Sequence, residues 1–291
     1  MQFLRNLLGR KKPATAPLPS FPRGVETVPT QPRLKAGWAT DVGQVRNHNE
    51  DTAMVITAAY AGDEARPAFG LFVLADGMGG HQAGEVASSL AAQSVAHHIV
   101  SQFYLLTIAS QECDTDQIPL NELLVDAVQA ANSTVADQVP GGGTTLTCAL
   151  MLGPRAYVAH VGDSRAYVAT EKGLDQITND HSVVYRLVEL GQLEPDEAAV
   201  HPQRNVLYRA IGQSSDLEVD TYVRTIPHGG RLLLCSDGLW DMVSEAEITD
   251  IVATSSSLQA ACESLIAAAN RAGGRDNITA ILAEPPQDGD S

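Results

Sequence analysis

FGLFVLADGMGGHQAGE, residues Phe69–Glu85, joins an apolar run to an acid and then to four glycines within eight residues. The apolar residues Phe69–Ala75 have the length and composition of a buried strand. Asp76 ends that run, and the glycines after it are typical of a tight turn in which the backbone can approach a bound group closely. The stretch therefore predicts a carboxylate held rigidly at a strand end, beside a turn that leads into a helix.

Four other segments place acids in the same way. They are Glu50-Asp51 in VRNHNEDTA, Asp163 in AYVAHVGDSRAY, Asp237 in RLLLCSDGLWD and Asp276 in GGRDNIT. A single Asp next to Gly is most often ordinary turn chemistry. Five segments with one arrangement favour a shared site instead, on the condition that their strand ends converge in the fold.

Carboxylates that crowd together cannot all remain ionised unless cations neutralise them. A ligand set made only of oxygen atoms favours the hard ions Mg²⁺ or Mn²⁺ over zinc. Two such ions about 4 Å apart can hold a hydroxide between them and orient a phosphoryl group. The pattern thus predicts a site for two divalent cations with chemistry directed at phosphate.

The composition narrows the class of function. The chain has 291 residues, of which 44% are hydrophobic, and a net charge of −16. Residues 1–33 alone carry +5, so the rest is strongly acidic, which argues against nucleic acid as a partner. The four cysteines form no Cys-x-x-Cys pair, which argues against zinc and suits a reducing cytoplasm. No apolar run is long enough for a transmembrane segment.

Three parts are expected along the chain. Residues 1–33 are predicted to form a basic, proline-rich flexible tail, because residues 13–32 alone contain six prolines. Residues 34–284 are predicted to form the folded domain, which we expect to be a monomer, and residues 285–291 a polar tail. The N-terminal tail could contact an anionic membrane surface weakly, but a solvated tail is preferred because short basic segments bind membranes only marginally.

Strands and helices are mixed in the predicted domain. Strands are predicted at Trp38–Val42, Thr52–Thr57, Phe69–Ala75, Thr144–Leu152, Ala156–Val161, Arg165–Ala169, Arg231–Ser236 and Ile278–Ala283. The turn signals GPR and GDS separate the fourth, fifth and sixth of these strands, which predicts a meander of antiparallel hairpins. Amphipathic helices are predicted after Ala83, at Leu120–Val135 and at Leu258–Ala269. The mixture indicates an α+β layered domain.

Six motifs occur in order along the chain. They are R-x-x-N-E-D (Arg46–Asp51), D-G-M-G-G-H (Asp76–His81), G-T-T (Gly143–Thr145), H-V-G-D-S-R (His160–Arg165), S-D-G-L-W-D (Ser236–Asp241) and G-x-D-N-I-T (Gly274–Thr279). Together they resemble the metal-dependent protein phosphatase family, the type 2C serine/threonine phosphatases, in its bacterial form. The resemblance covers about residues 34–284, and six ordered motifs make it highly specific.

The resemblance implies a fold, an activity and a cofactor. The implied fold is a four-layer αββα sandwich, with two antiparallel β-sheets flanked by helices and a metal site at one end. The implied activity is hydrolysis of phosphoserine and phosphothreonine in phosphoproteins, the substrates of Ser/Thr kinases, with Mg²⁺ or Mn²⁺. A hydroxide that bridges two metals would attack phosphorus directly, without a phosphoenzyme.

Matching positions imply the roles of single residues. The two central ions would be held by Asp51, Asp76, Asp237 and Asp276, by the carbonyl of Gly77, and by Glu50 through a metal-bound water. Asp163, with help from Asp237, matches a residue that binds a third, weaker ion in bacterial members. Arg46 matches the phosphate-binding arginine, a role that suits its guanidinium fork. Arg46 and Asp76 are therefore the expected catalytic residues.

The leaving-group acid has no assigned residue. Eukaryotic relatives often carry His where this chain has Met78, and that His is proposed to protonate the leaving group. His81 could substitute for it, and so could a metal-bound water. Asn277 and His81 are expected to orient ligands by hydrogen bonds. The segment Asn179–Asn205 resembles the family's flap, which can set substrate access.

Two other functions stay open at this level. A catalytically inactive member of the family would be a scaffold that binds partners, but such a protein should have lost metal ligands, and all are present here. A phosphatase for a small phosphorylated molecule, or for an anti-sigma-type regulatory partner, is the second. The absence of a sensor domain weakens the regulatory version, whereas nothing in the sequence excludes a small substrate.

Overall fold

A computed structural model describes residues 33–59, 67–79, 82–109, 119–199 and 201–286. His81, Cys113 and most of the two predicted tails lie outside these residues, so the predicted domain boundaries stay a prediction. Among the described residues, no helix is both long enough and apolar enough to cross a membrane.

Eleven strands form two antiparallel sheets in the described residues. They are β1 (Lys35–Asp41), β2 (Asp51–Ala58), β3 (Phe69–Met78), β4 (Gly143–Thr144), β5 (Leu146–Leu152), β6 (Arg155–Val161), β7 (Arg165–Thr170), β8 (Gly173–Gln176), β9 (Asp220–Thr225), β10 (Arg231–Cys235) and β11 (Ile278–Glu284). One sheet has the order β1-β11-β10-β7-β8. The other has the order β2-β3-β5-β6-β9, with β4 paired to β3.

Eight α-helices accompany the strands in the described residues. They are α1 (Gln82–Ile99), α2 (Leu105–Ala109), α3 (Leu120–Gln138), α4 (Val183–Glu189), α5 (Pro195–Ala199), α6 (Asp237–Trp240), α7 (Glu245–Thr254) and α8 (Leu258–Arg271), and a π-helical turn, Val100–Tyr104, joins α1 to α2. Helices α1 and α3 cover the sheet that contains β3, and α7 and α8 cover the other sheet. The predicted four-layer αββα sandwich is confirmed.

The apolar run Phe69–Ala75 lies in β3, and it is buried on both faces. Phe72 and Leu74 lie in the core between the two sheets, together with Leu234 and Ile281 of the opposite sheet. Leu71 lies on the other face, in the core beneath α1 and α3. Because a strand in a middle layer has no solvated face, its sequence is continuously apolar rather than alternating.

The predicted meander is wrong at its second turn. Strands β5 and β6 do form a hairpin, but β6 pairs next with β9, whereas β7 pairs with β10 and β8 of the other sheet. The segment Gly162-Asp163-Ser164 therefore crosses between the sheets. Gly162 has a φ of 114°, which L side chains rarely adopt, so the chain can leave one sheet there without strain. A turn signal in sequence does not show which sheet the next strand will join.

Candidate metal centre

The five acidic segments converge at one end of the sandwich. Asp51 begins β2 directly opposite Asp76 on β3. Asp237 begins α6 immediately after β10, and Asp276 precedes β11. Asp163 lies in the crossing between the sheets. Glu50 and all of these acids except the buried Asp51 line a cavity of about 470 Å³, so the condition set by the sequence pattern is met.

The carboxyl groups approach one another, and two of their oxygens have no donor. The carboxyls of Asp51 and Asp237 lie near enough to that of Asp76 to raise its pKa by charge repulsion. Asp51 Oδ1 and Asp237 Oδ1 are buried and have no hydrogen-bond partner. A buried carboxylate oxygen without a donor is costly unless a cation completes its surroundings. The oxygen ligands therefore fit a hard divalent ion.

The acids line an open cavity rather than a closed coordination sphere. Among the described residues, no three His, Cys, Asp or Glu side chains already surround a single point as metal ligands. Ions bound here would therefore draw on the carbonyl and carboxylate oxygens of the cavity wall together with water, which is usual for Mg²⁺.

Burial changes the acidity of the cluster. It raises the pKa of Asp51 to about 6 and that of Asp163 to about 7. The pKa values of Asp76 and Asp237 lie well above the ordinary range, first because of burial and then because neighbouring carboxyls repel a further negative charge. These four carboxyls can all be ionised at neutral pH only if positive charge lies near them.

Gly77 keeps the cavity wall free of side chains. Its N–H donates to the Glu50 carbonyl at 3.1 Å, and its Cα pairs with Thr144 of β4. A Cβ on Gly77 would collide with the backbone of Gly84 and Glu50. Only glycine therefore allows β3 to approach the start of α1 and the Glu50 segment this closely.

Arg46 and Asn277 connect the loop after β1 to the start of β11. Arg46 Nη2 donates to Asp276 Oδ2 at 2.8 Å, and the hydrogen bond to Asp276 is the main cause that raises the pKa of Arg46. Asn277 Oδ1 accepts the Glu50 N–H at 2.7 Å, while Asn277 Nδ2 donates to the carbonyls of Val42 and His48. Asn277 thus holds the backbone beside Glu50.

Hydroxyl groups that sequence reasoning did not single out support the acids. Asp51 Oδ2 accepts from Ser236 Oγ at 2.8 Å and from Thr279 Oγ1 at 2.6 Å. The Asp76 N–H donates to Thr145 Oγ1 at 3.0 Å. Thr144 Oγ1 donates to the Asp76 carbonyl at 2.8 Å. The signal was present in the sequence, because each hydroxyl residue stands inside one of the quoted motifs.

The described histidines near the motifs differ in position. His160 and His181 are buried, and neither lines the cavity. Burial and the neighbouring His181 lower the pKa of His160 to about 3, so it is neutral at physiological pH. His48 does line the cavity. His81 lies outside the described residues, so its expected role stays a prediction.

Met78 and the segment after β8 form the rim of the cavity. Gln213 Nε2 donates to Met78 Sδ at 3.5 Å. The flap-like segment Asn179–Asn205 contains α4 and α5, and Asn205 at its end lines the cavity, as does Leu207 just after it. The predicted flap therefore ends beside the acid-lined cavity.

Comparisons with known proteins point to one family. The profile described as Protein phosphatase 2C matches residues 59–283. The serine/threonine phosphatase stp of Listeria innocua is 38% identical over 252 residues, which cover 86% of this chain and 96% of that protein.

Solved structures agree with the sequence comparison. The Mycobacterium tuberculosis serine/threonine phosphatase PstP/Ppp has a TM-score of 0.72 and 38% identity over 87% of this chain and 99% of its own. The catalytic domain of the phosphatase PstP in complex with two manganese ions has a TM-score of 0.67 and 37% identity, over 86% of this chain and 97% of its own.

Once its metal ions have been removed, this protein should become less stable as the pH rises. Asp163 has a pKa raised to about 7, and Asp76 and Asp237 have pKa values raised well above their ordinary range. When protonated, these groups contribute to the free energy of unfolding. This contribution is complete below about pH 4, and it is lost as the pH rises through their pKa values in the folded protein. We expect the melting temperature of chelator-treated protein to fall between about pH 7 and 8.5, where the opposite contribution of His160 is nearly complete.

Saturating Mn²⁺ should abolish most of that decline, because the ions replace protons as counter-charges. A chelator-treated protein whose melting temperature rises through this range would contradict the buried acid cluster.

The substitution Thr279→Val should weaken metal binding. Valine has nearly the same shape but removes the hydroxyl that donates to Asp51, a hydrogen bond to a charged group worth about 1.5–3 kcal/mol. Calorimetric titration with Mn²⁺ should show affinity lower by about 10- to 100-fold. Thr254→Val is the matched control, because the exposed Thr254 bonds only the Asp250 carbonyl of its own helix. Equal affinities in the two variants would reject the role of Thr279.

Proposed function

The chain belongs to the protein phosphatase 2C family and is a metal-dependent serine/threonine protein phosphatase; from that premise we propose that the acid-lined cavity is its active site. The observation that carries the proposal is the meeting of Asp51, Asp76 and Asp237 at one end of the sandwich, with two buried carboxylate oxygens that no donor reaches. A scaffold that binds no metal would gain nothing from this costly arrangement.

The acids of the cavity are proposed to hold Mg²⁺ or Mn²⁺. The proposed ligands of two central ions are Asp51, Asp76, Asp237 and Asp276, the Gly77 carbonyl, and Glu50 through water. Asp163, with Asp237, is proposed to bind a third, weaker ion. The ions would supply positive charge on the phosphoryl oxygens and make water more acidic. The two manganese ions of the related PstP catalytic domain support this proposal.

Arg46 is proposed to bind the phosphate of the substrate. It lines the cavity, its side chain is half exposed, and its partner Asp276 is one of the proposed ligands. When Asp276 binds a cation, the guanidinium can exchange that carboxylate for phosphate oxygens, which a planar fork of donors suits. Asn277 would keep Glu50 in place during this exchange through the hydrogen bond to the Glu50 N–H.

The substrates are phosphoproteins that carry phosphoserine or phosphothreonine. The lining of the cavity includes Arg46, Asn205 at the end of the flap-like segment, and Leu207 just after that segment. We propose that this segment controls which phosphorylated side chains reach the acids.

The remaining proposals concern the whole chain. We propose a folded domain at residues 34–284, flexible tails at 1–33 and 285–291, and a monomeric protein in the cytoplasm. Support for the compartment comes from Cys148, Cys235 and Cys262, which are buried free thiols, as expected under reducing conditions. The basic N-terminal tail is proposed to remain solvated, with weak contact to an anionic membrane surface as the alternative.

Loss of single carboxylates should abolish activity. Asp76→Ala and Asp237→Ala are each expected to lower Mn²⁺-dependent hydrolysis of a phosphothreonine peptide by more than about 100-fold, since each removes a proposed ligand. Asp126→Ala, on the exposed face of α3, is the control and should hydrolyse the peptide normally. Undiminished turnover in both cavity variants would reject the metal assignment.

Changes at Arg46 should separate charge from geometry. Arg46→Ala is expected to reduce kcat/KM for the phosphopeptide by about 100-fold, and Arg46→Lys should recover only part of the loss because lysine lacks the bidentate fork. Arg271→Lys on the exposed end of α8 serves as the comparison. If Arg46→Lys matched the wild-type protein, the proposed bidentate contact would be wrong.

A further inference from the structure

We propose that His181 is a positioning residue for the turn that carries Asp163. His181 holds both peptide groups of Gly162, the residue before Asp163. The backbone N–H of His181 donates to the Gly162 carbonyl at 2.7 Å, and the Gly162 N–H donates to the ring nitrogen His181 Nδ1 at 3.0 Å. The imidazole is only 2% exposed, so water does not compete for these hydrogen bonds.

Gly162 has little freedom to move away from this clamp. Its φ of 114° is in the region that favours glycine, and a Cβ there would lie 2.6 Å from the side chain of Thr145. Thr145 in turn accepts the N–H of Asp76 at 3.0 Å. Gly162 is therefore enclosed between His181 on one side and the residue that supports Asp76 on the other. A change in His181 is transmitted directly to Asp163.

The clamp requires one tautomer of His181. Nδ1 accepts the Gly162 N–H, so the proton of the neutral ring is on Nε2, which lies 3.3 Å from Asp220 Oδ2 and 3.1 Å from Arg209 Nη1. Because a guanidinium can only donate, Arg209 Nη1 donates to Asp220 Oδ1 and not to the protonated Nε2. Asp220 is itself held by Arg209 Nη1, at 2.8 Å from Oδ1, and by the Tyr222 hydroxyl, at 3.1 Å from Oδ2. The hydrogen bond to His181 is the main cause that lowers the pKa of Asp220, so this carboxylate stays ionised. A carboxylate that orients an imidazole in this way is a common supporting arrangement.

Neither His181 nor Asp220 lines the cavity, whereas Asp163 does. His181 thus acts through the backbone of Gly162 and not by contact with substrate or ions. His181 also lies within the flap-like segment, and its carbonyl accepts the N–H of Tyr208, just after that segment, at 3.0 Å. This inference rests on the proposed function in one respect, the assignment of Asp163 as a metal ligand.

Two amide substitutions separate the two nitrogens of His181. In His181→Asn the side-chain oxygen takes the place of Nδ1 and can still accept the Gly162 N–H. In His181→Gln the amide nitrogen takes the place of Nε2 and can still donate to Asp220, but the acceptor for Gly162 is lost. The two variants differ by one methylene, so they form a matched pair for loss of polar contacts.

Hydrogen exchange at the Gly162 amide measures the strength of its hydrogen bond to His181 Nδ1 and does not depend on activity. We expect the Gly162 amide to exchange roughly tenfold faster in His181→Gln than in His181→Asn, relative to core amides of β5 in the same protein. Calorimetric titration with Mn²⁺ should show that the site lost in Asp163→Asn is weakened about 10- to 100-fold in His181→Gln and is nearly normal in His181→Asn. Equal Gly162 exchange in the two variants would overturn the proposal.

The tautomer is measured on the wild-type protein and does not depend on how a variant folds. Nitrogen-15 shifts of His181 should show an unprotonated Nδ1 and a protonated Nε2, whereas a proton on Nδ1 would overturn the clamp. The ligand role of Asp163 and the positioning role of His181 can be tested separately. If Asp163→Asn leaves Mn²⁺ binding unchanged, the ligand assignment fails, and the positioning role with it. If Asp163→Asn weakens binding and His181→Gln does not, only the role of His181 fails.

Discussion

Mutual repulsion among buried carboxyl groups is the constraint around which this protein is organised. Asp51, Asp76 and Asp237 approach one another in surroundings that oppose their ionisation, and two of their oxygens have no donor. Such an arrangement is stable with all carboxyls ionised only where cations offset the cost of desolvation and repulsion. The phosphatase chemistry of the family follows from the same feature, because cations that neutralise carboxylates can also neutralise a phosphoryl group.

The sandwich holds these acids in place by rigid means. Asp51 and Asp76 stand opposite each other on adjacent strands of one sheet, while Asp237 follows a strand of the other. The neutral hydroxyls of Ser236 and Thr279 donate hydrogen bonds to Asp51 Oδ2, which leaves Asp51 Oδ1 available to an ion. Hydroxyl donors suit this position because they orient a carboxylate without adding a charge that would compete with the cation.

Much of the fold and of the site could be predicted from the sequence. Runs such as Phe69–Ala75 predicted strands because burial on both faces leaves a continuous apolar signal. The prediction failed at GDS, where β6 and β7 were expected to pair and instead join different sheets. The short β8 and β9 were also missed, since strands of four to six residues with exposed positions carry little periodicity. The role of His181 was not predicted, because its partners Gly162 and Asp220 are distant in sequence.

The sequence by itself determined which acids stand at strand ends, because an apolar run that ends in Asp and Gly is a local pattern. Its ordered motifs also determined the family. Only the tertiary structure decided that these ends meet, that the chain changes sheets at Gly162, and that Thr279 supports Asp51 across 228 positions. The physical reason is that strand pairing and hydrogen bonds between remote segments depend on the packing of the whole domain, and no local propensity encodes it.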